Sequence, residues 1–154
     1  MADVEQSLIT DEHRAVIGVP GPGHEAVIRE EDARRMRDLL GDNDPRWADG
    51  TGIAPPYVMA ALDPGPPGRG MPRILPGGIL TQMEWQFHRP FRIGESLRVV
   101  HKVTDIRDRL GGRYGYSVII MMETAFIDTE GEAAASMLRT FTQFDPAGAK
   151  GGDE

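Results

Sequence analysis

The chain contains no cysteine among its 154 residues. That absence removes disulfides, thiolate nucleophiles and cysteine-based metal sites together, and it suits a cytoplasmic protein. Positive charge is also scarce. Seventeen Lys and Arg stand against 24 Asp and Glu, a net charge of −7, which argues against nonspecific binding to nucleic acid. No apolar run approaches membrane-spanning length, and the acidic N-terminus MADVEQSLITDEHRA has no hydrophobic centre of the kind a signal peptide needs. His13, His24 and His101 show no ligand spacing with one another, so no metal site is expected. What is present is an ordinary apolar fraction of 40%, enough for the core of one domain.

The chain is organised around ILTQMEWQFHRPFRIGESLRVVHKV, residues 79–103. Met83, Trp85 and Phe87 alternate with Gln82, Glu84, Gln86 and His88, which is the period of a half-buried strand. Pro90 ends the ladder, and Gly94 suits a turn with positive φ. Further strands are expected over 97–107, 114–127 and 133–144, joined by Gly-rich turns. The strand over 114–127 is apolar on both faces, as Ile119, Met121 and Ala125 oppose Val118, Ile120 and Met122. It reads as a central strand covered on both sides, with a partner subunit supplying the second cover.

Upstream, Glu30, Glu31 and Asp32 open a helix whose apolar positions are Ala33, Met36, Leu39 and Leu40, stopped by Gly41. Arg34, Arg35 and Arg37 read as its solvated side. Pro56–Leu62 is apolar nearly all round and reads as a short buried helix filling the concave face of the sheet. Residues 63–78, dominated by proline and glycine, read as a long loop. The expected division is a flexible N-terminus over 1–15, one domain over 16–144 and a disordered tail over 145–154.

Three stretches carry a family resemblance: GDNDPRWAD after the first helix, GIAPP leading into the second, and EWQFHRPFRIGESL. They resemble the MaoC-like dehydratases, specifically the N-terminal, FAS1-like dehydratase type. The resemblance implies a hotdog fold, a bent antiparallel sheet wrapped around a central helix. It also implies acyl-thioester chemistry, in which water is added to or removed from a chain carried on coenzyme A or acyl carrier protein, with no other cofactor. Active members carry Gly-Asp-x-Asn-Pro-x-His, whose aspartate and histidine act on one water as general acid and base, while amides at the start of the central helix polarise the thioester carbonyl.

The motif is incomplete here. Gly41, Asp42 and Pro45 match, but Asp44 replaces the asparagine and Trp47 the histidine. An indole N–H is a donor only and cannot relay a proton. Asp42 reads either as a surviving catalytic carboxylate or as a turn residue. His88 reads as a replacement base or as a surface residue. Trp47, Pro55, Pro56 and Tyr57 are candidates to line the substrate or to pack the core. Arg69, Arg73, Arg89 and Arg92 are candidates for coenzyme A phosphates or a solvated rim. Two functions stay open: a hydratase or dehydratase, alone or as one subunit of a homodimer or heterodimer with a catalytic hotdog protein, and a non-catalytic hotdog subunit that binds acyl-CoA or stabilises a partner. A thioesterase shares the fold but wants a carboxylate on the central helix, which Tyr57–Leu62 lacks.

Overall fold

Period-two alternation builds the largest unit. The computed structural model describes residues 6–62 and 70–149. His24–Val27 (β1), Gly77–Phe87 (β3), Ser96–Leu110 (β5), Tyr116–Ile127 (β6) and Ala133–Phe144 (β7) form one antiparallel sheet in the order β1-β5-β6-β7-β3. Ile53–Ala54 (β2) and Phe91–Arg92 (β4) make a separate two-stranded ladder. Register shifts at Leu80/Gln82, Val103/Asp105 and Phe126/Ile127 add local twist, and the sheet curls into a half-barrel.

The inner face of that curl is the core. Beneath one half lie Val58, Met59 and Leu62, packed with Ile28, Phe91, Leu97, Val99, Phe126 and Met137. Beneath the other lie Ile9, Val103, Ile106, Val118, Ile120, Met122 and Phe141. β6 is central, as its two apolar faces suggested. Its outer residues Ile119, Met121 and Ala125 are only half-buried, however, so the second cover is absent from the single chain. The turn at Gly94 has φ of 86°, and its N–H bonds the Ile28 carbonyl at 2.7 Å.

Several expectations need correction. The expected helix forms over Pro56–Ala61 in the 3₁₀ form and buries Val58 and Met59, but Ala60 and Ala61 are exposed, so it is not buried all round. Two prolines at its start and a length of under two turns favour the tighter form. Glu30–Leu40 (α2) buries Ala33, but Leu39 and Leu40 are 76% and 61% exposed. Arg37 is not solvated. Its Nη1 donates to the Trp47 carbonyl at 2.7 Å, and it forms an ion pair with Asp49. Met83 and Phe87 are largely open because β3 lies at the edge of the sheet, and of that row only Trp85 packs into the core.

The N-terminal stretch is built in as well. Residues Asp11–Ala15 form a short helix (α1) with Thr10 and His13 in a capping box, Ile9 is buried, and the Leu8 N–H bonds the Tyr116 hydroxyl at 3.0 Å. Residues 1–5 lie outside the described residues. So do 63–69, the first part of the long loop and Arg69 with it, and 150–154 of the tail. Asp145 caps a short turn over Pro146–Gly148.

The rest of the long loop is pinned by one buried amide. Gln143 Oε1 accepts from the Ile74 and Leu75 N–H groups at 2.8 and 3.1 Å, and its Nε2 donates to the Pro72 carbonyl at 2.8 Å. Gln143→Leu leaves all three backbone groups without a partner. We expect it to lower unfolding stability by about 2–3 kcal/mol, read as a lower urea midpoint at unchanged slope. An unaltered midpoint would mean that water replaces the amide.

Candidate functional site

A helix stop places the first functional side chain. α2 ends in a Schellman motif: Gly41, at φ 63°, donates to the Asp38 carbonyl at 3.3 Å, and Asp42 donates to the Arg37 carbonyl at 3.0 Å. Asp42 Oδ1 then accepts the Asp44 N–H at 2.9 Å, turning the chain again. Asp44 caps the 3₁₀ turn Pro45–Trp47 by accepting from the Arg46 N–H, and holds the Arg46 side chain at 2.6 Å. The Arg46 guanidinium lies 4.4 Å above the Trp47 ring.

These turns aim Trp47 back at Asp42. Its Nε1–H donates to Asp42 Oδ2 at 2.8 Å, and the Tyr57 hydroxyl, from the central 3₁₀ helix, donates to the same oxygen at 2.7 Å. The two rings meet edge to face, 6.4 Å apart. Tyr57, half-buried, thus donates a hydrogen bond to the motif aspartate. With three donors on it, the Asp42 carboxylate is held in its ionised form and has no proton to give at neutral pH.

The acidities follow this arrangement. The Tyr57 hydroxyl, then the Asp44 amide and the Trp47 indole, hold the Asp42 carboxyl below the usual carboxylate range. Burial, then the Asp42 carboxylate, pushes the Tyr57 phenol up to about 12. A carboxylate whose folded pKa is depressed adds stability that is complete above its unfolded value, about 3.9, and is lost as pH falls through the folded value. Asp42→Asn should therefore flatten the acid limb of a stability-versus-pH curve, measured by urea unfolding across the acid range. An acid limb of unchanged steepness would count against these contacts.

A cavity of about 610 Å³ adjoins this cluster, with Trp47, Ile53, Ala54, Pro56, Phe87 and His88 in its wall. His88 is exposed and shares that space with Trp47, whereas Asp42 is not in the wall. Pro55 is buried and Pro56 exposed at the start of the central helix. Neither carries an N–H, and the Val58 N–H donates to the Pro55 carbonyl at 3.0 Å. Neither proline can therefore donate an amide to a thioester carbonyl at the start of this helix.

Arg89 lines the same cavity, and its guanidinium is engaged in ion pairs. It grips Glu95 through two bonds of 2.9 Å and Asp128 at 3.2 Å. Arg92 is exposed, and its backbone N–H bonds Glu95 Oε2 at 2.8 Å. Arg73 is exposed and donates to the Pro76 carbonyl at 3.0 Å. No group of three His, Asp or Glu able to hold a metal occurs among the described residues, and among them no helix is long and apolar enough to cross a membrane. Arg139, Thr124 and Gln143, buried polar residues of the inner face, were missed in the sequence reading. The signal was the period: Arg139 and Gln143 fall in step with inward-facing Met137 and Phe141.

Comparison with known proteins now decides the family. The FAS1-like, dehydratase domain region matches residues 15–137. The chain belongs to that family. A search of curated proteins finds no match. Among solved structures this FAS1-like dehydratase domain is similar to a chain of the ChsH1–ChsH2 complex from Mycobacterium tuberculosis, at 18% identity and a TM-score of 0.70, over 90% of this chain and 95% of that one. A chain of the HadBC (3R-hydroxyacyl-ACP dehydratase) complex from the same organism gives 16% identity and a TM-score of 0.60, over 87% and 98%. The R-hydratase PhaJ1 from Pseudomonas aeruginosa gives 18% and 0.58, over 84% and 82%. At these identities the likeness establishes the fold of the FAS1-like dehydratase domain, which is hotdog.

Proposed function

We propose that this chain is one subunit of an acyl-thioester hydratase or dehydratase, working beside a catalytic hotdog partner. It holds part of an acyl chain carried on coenzyme A or acyl carrier protein, while the partner moves the proton as water is added to a 2-enoyl chain or removed from a 3-hydroxyacyl chain. The observation that carries this reading is the Trp47 Nε1–H bonded to Asp42 at 2.8 Å, a donor where the family has its proton-transferring imidazole. Two further features support it. β3 is an eleven-residue edge strand with exposed Ile79, Leu80, Met83 and Phe87, a surface that needs a neighbour. The solved ChsH1–ChsH2 and HadBC structures are both complexes of two different chains.

One observation favours a second reading, in which the chain acts without a catalytic partner. His88 lines the same cavity as Trp47 and could serve as the base in a homodimer. Co-expression with its genomic neighbours, then purification and a crotonyl-CoA hydration assay with and without each of them, separates the two. Activity that appears only with a hotdog neighbour bearing the intact motif supports the first. Activity of the chain alone, lost in His88→Ala, supports the second.

A further inference from the structure

Arg139 is a charged residue where the strand pattern calls for an apolar one. It lies on the inner face of β7 between Met137 and Phe141 and is only 4% exposed. Its Nη2 donates to Thr124 Oγ1 at 3.2 Å and lies 3.5 Å from His101 Nδ1, while its Nε is buried without a partner. Thr124 Oγ1 is 2.7 Å from His101 Nδ1. A hydroxyl that accepts from Arg139 has its own proton for Nδ1, which leaves the imidazole's proton on Nε2. Among the described residues the guanidinium also faces the Phe141 ring, 5.7 Å away. Among the described residues no carboxylate pairs with it, and burial lowers its pKa.

Such a cation is a liability for folding. A hydroxyl and an aromatic face return little of the hydration it loses, and an apolar residue of similar volume would serve the core better. Beside it lies a cavity of about 470 Å³. His101, the cross-strand partner of Thr124, and Met122, the cross-strand partner of Arg139, are in its wall with Val103, and Arg139 sits one residue behind that wall. Val16 and Val19 make the wall largely apolar, and Glu12 and Lys102 also line it.

We infer that this inner-face cluster binds a carboxylate carried on an apolar chain, with Arg139 as the counter-charge. The unpartnered Nε–H and a neighbouring Nη–H form the fork that fits two carboxylate oxygens, and the apolar wall suits the body of the ligand better than a phosphate. Two sources share this chemistry. One is a free carboxylic acid. The other, which rests on the function proposed above, is the far carboxylate of an acyl chain whose thioester end sits near Trp47. The ruler for that route is β7 itself. Ala135 pairs with Phe87 of the Trp47 cavity, and Arg139 lies four residues further along, about 13 Å at the usual strand rise.

Calorimetry on the intact chain tests both. Decanoate against decanamide probes the free acid. The coenzyme A thioesters of adipic, suberic and sebacic acid, each against the monocarboxylic thioester of equal length, probe the chain-borne group. We expect the carboxylate member of at least one pair to bind tenfold or more tightly than its neutral counterpart, and Arg139→Met to erase that preference. Arg139→Met should melt at or above the parent temperature. Should it not fold, Arg139→Lys keeps the charge, loses the fork and is expected to weaken the preference at least threefold. If no thioester binds at all, the acyl-thioester reading fails while decanoate still decides the site. No preference in any pair, or a preference untouched in the folded Arg139 variant, overturns the inference.

Discussion

Purified without a partner, the chain should hydrate crotonyl-CoA at close to the uncatalysed rate. The reason lies in what surrounds Asp42. Trp47 and Tyr57 both donate to one of its oxygens and the Asp44 amide to the other, so no imidazole is available there to exchange a proton with the attacking water. A general acid or base contributes about 10²–10⁴-fold, roughly 3–5 kcal/mol of barrier. A second deficit lies at the central helix, where Pro55 and Pro56 offer no amide to a developing oxyanion, and a missing donor of that kind removes about 10²–10³-fold.

The two deficits lead to a sharper expectation for a repair. Trp47→His places an imidazole beside Asp42 but leaves the proline pair in place, so it should recover less than a tenth of what Trp47→His and Pro56→Gly recover together. Loss of enoyl absorbance in the three proteins reads the comparison directly. Brisk hydration by the unaltered chain, abolished in Asp42→Asn, would show that Asp42 does the chemistry without the motif histidine.

Arg89→Met should be the most damaging of the charge removals, at about 3 kcal/mol. Arg89 joins three separate pieces of the structure. It holds Glu95 after the Gly94 turn, Asp128 at the end of β6, and its own position after β3. All three side chains are at most a quarter exposed, so removal leaves two carboxylates poorly solvated and without their cation. For a chain of this size that is about a 10 °C fall in melting temperature.

The pH dependence gives an internal check on that explanation. The Glu132 backbone amide first, and to a lesser degree the Arg89 guanidinium, hold the Asp128 carboxyl below its ordinary value. Its contribution to stability is complete above about pH 3.9 and is lost as pH falls. The gap between parent and variant should therefore narrow in acid, as the stranded carboxylates take up protons. If Arg89 instead serves coenzyme A phosphates, the variant would melt normally and bind acyl-CoA more weakly.

How much of this was legible in the sequence depended on whether a pattern has local causes. α2 could be placed from its acidic first turn and its glycine stop, because both act within a few residues. β7 over Ala133–Phe144 was equally plain from alternation between two turns. The error on Met83 and Phe87 was of another kind. Alternation states which residues share a face, but whether that face is covered depends on which strands stand beside it, and β3 has one neighbour. Leu39 and Leu40 failed for the same reason.

At the site, the spacing of Asp42 and Trp47 was readable as a damaged motif. That Trp47 and Tyr57 would converge on a single carboxylate oxygen was not, since fifteen residues and two chain reversals separate Asp42 from Tyr57. Arg139 was hidden by expectation rather than by distance. Its position in the alternation was visible, and a cation there is costly enough to have signalled function.

The end of α2 bears on how such motifs persist in descent. Gly41 is needed because the Schellman stop requires a left-handed residue, and the side chain at position 42 closes the next turn by accepting the Asp44 amide. Both duties belong to folding and would be selected in a lineage that had never used the aspartate for proton transfer or had ceased to do so. Position 47 carries no such backbone duty through its side chain, so it is free to drift once the chemistry moves to another subunit. A Gly-Asp pair after a helix is therefore a fossil-prone signature in this fold, and the residue five positions beyond it is the better witness to present activity.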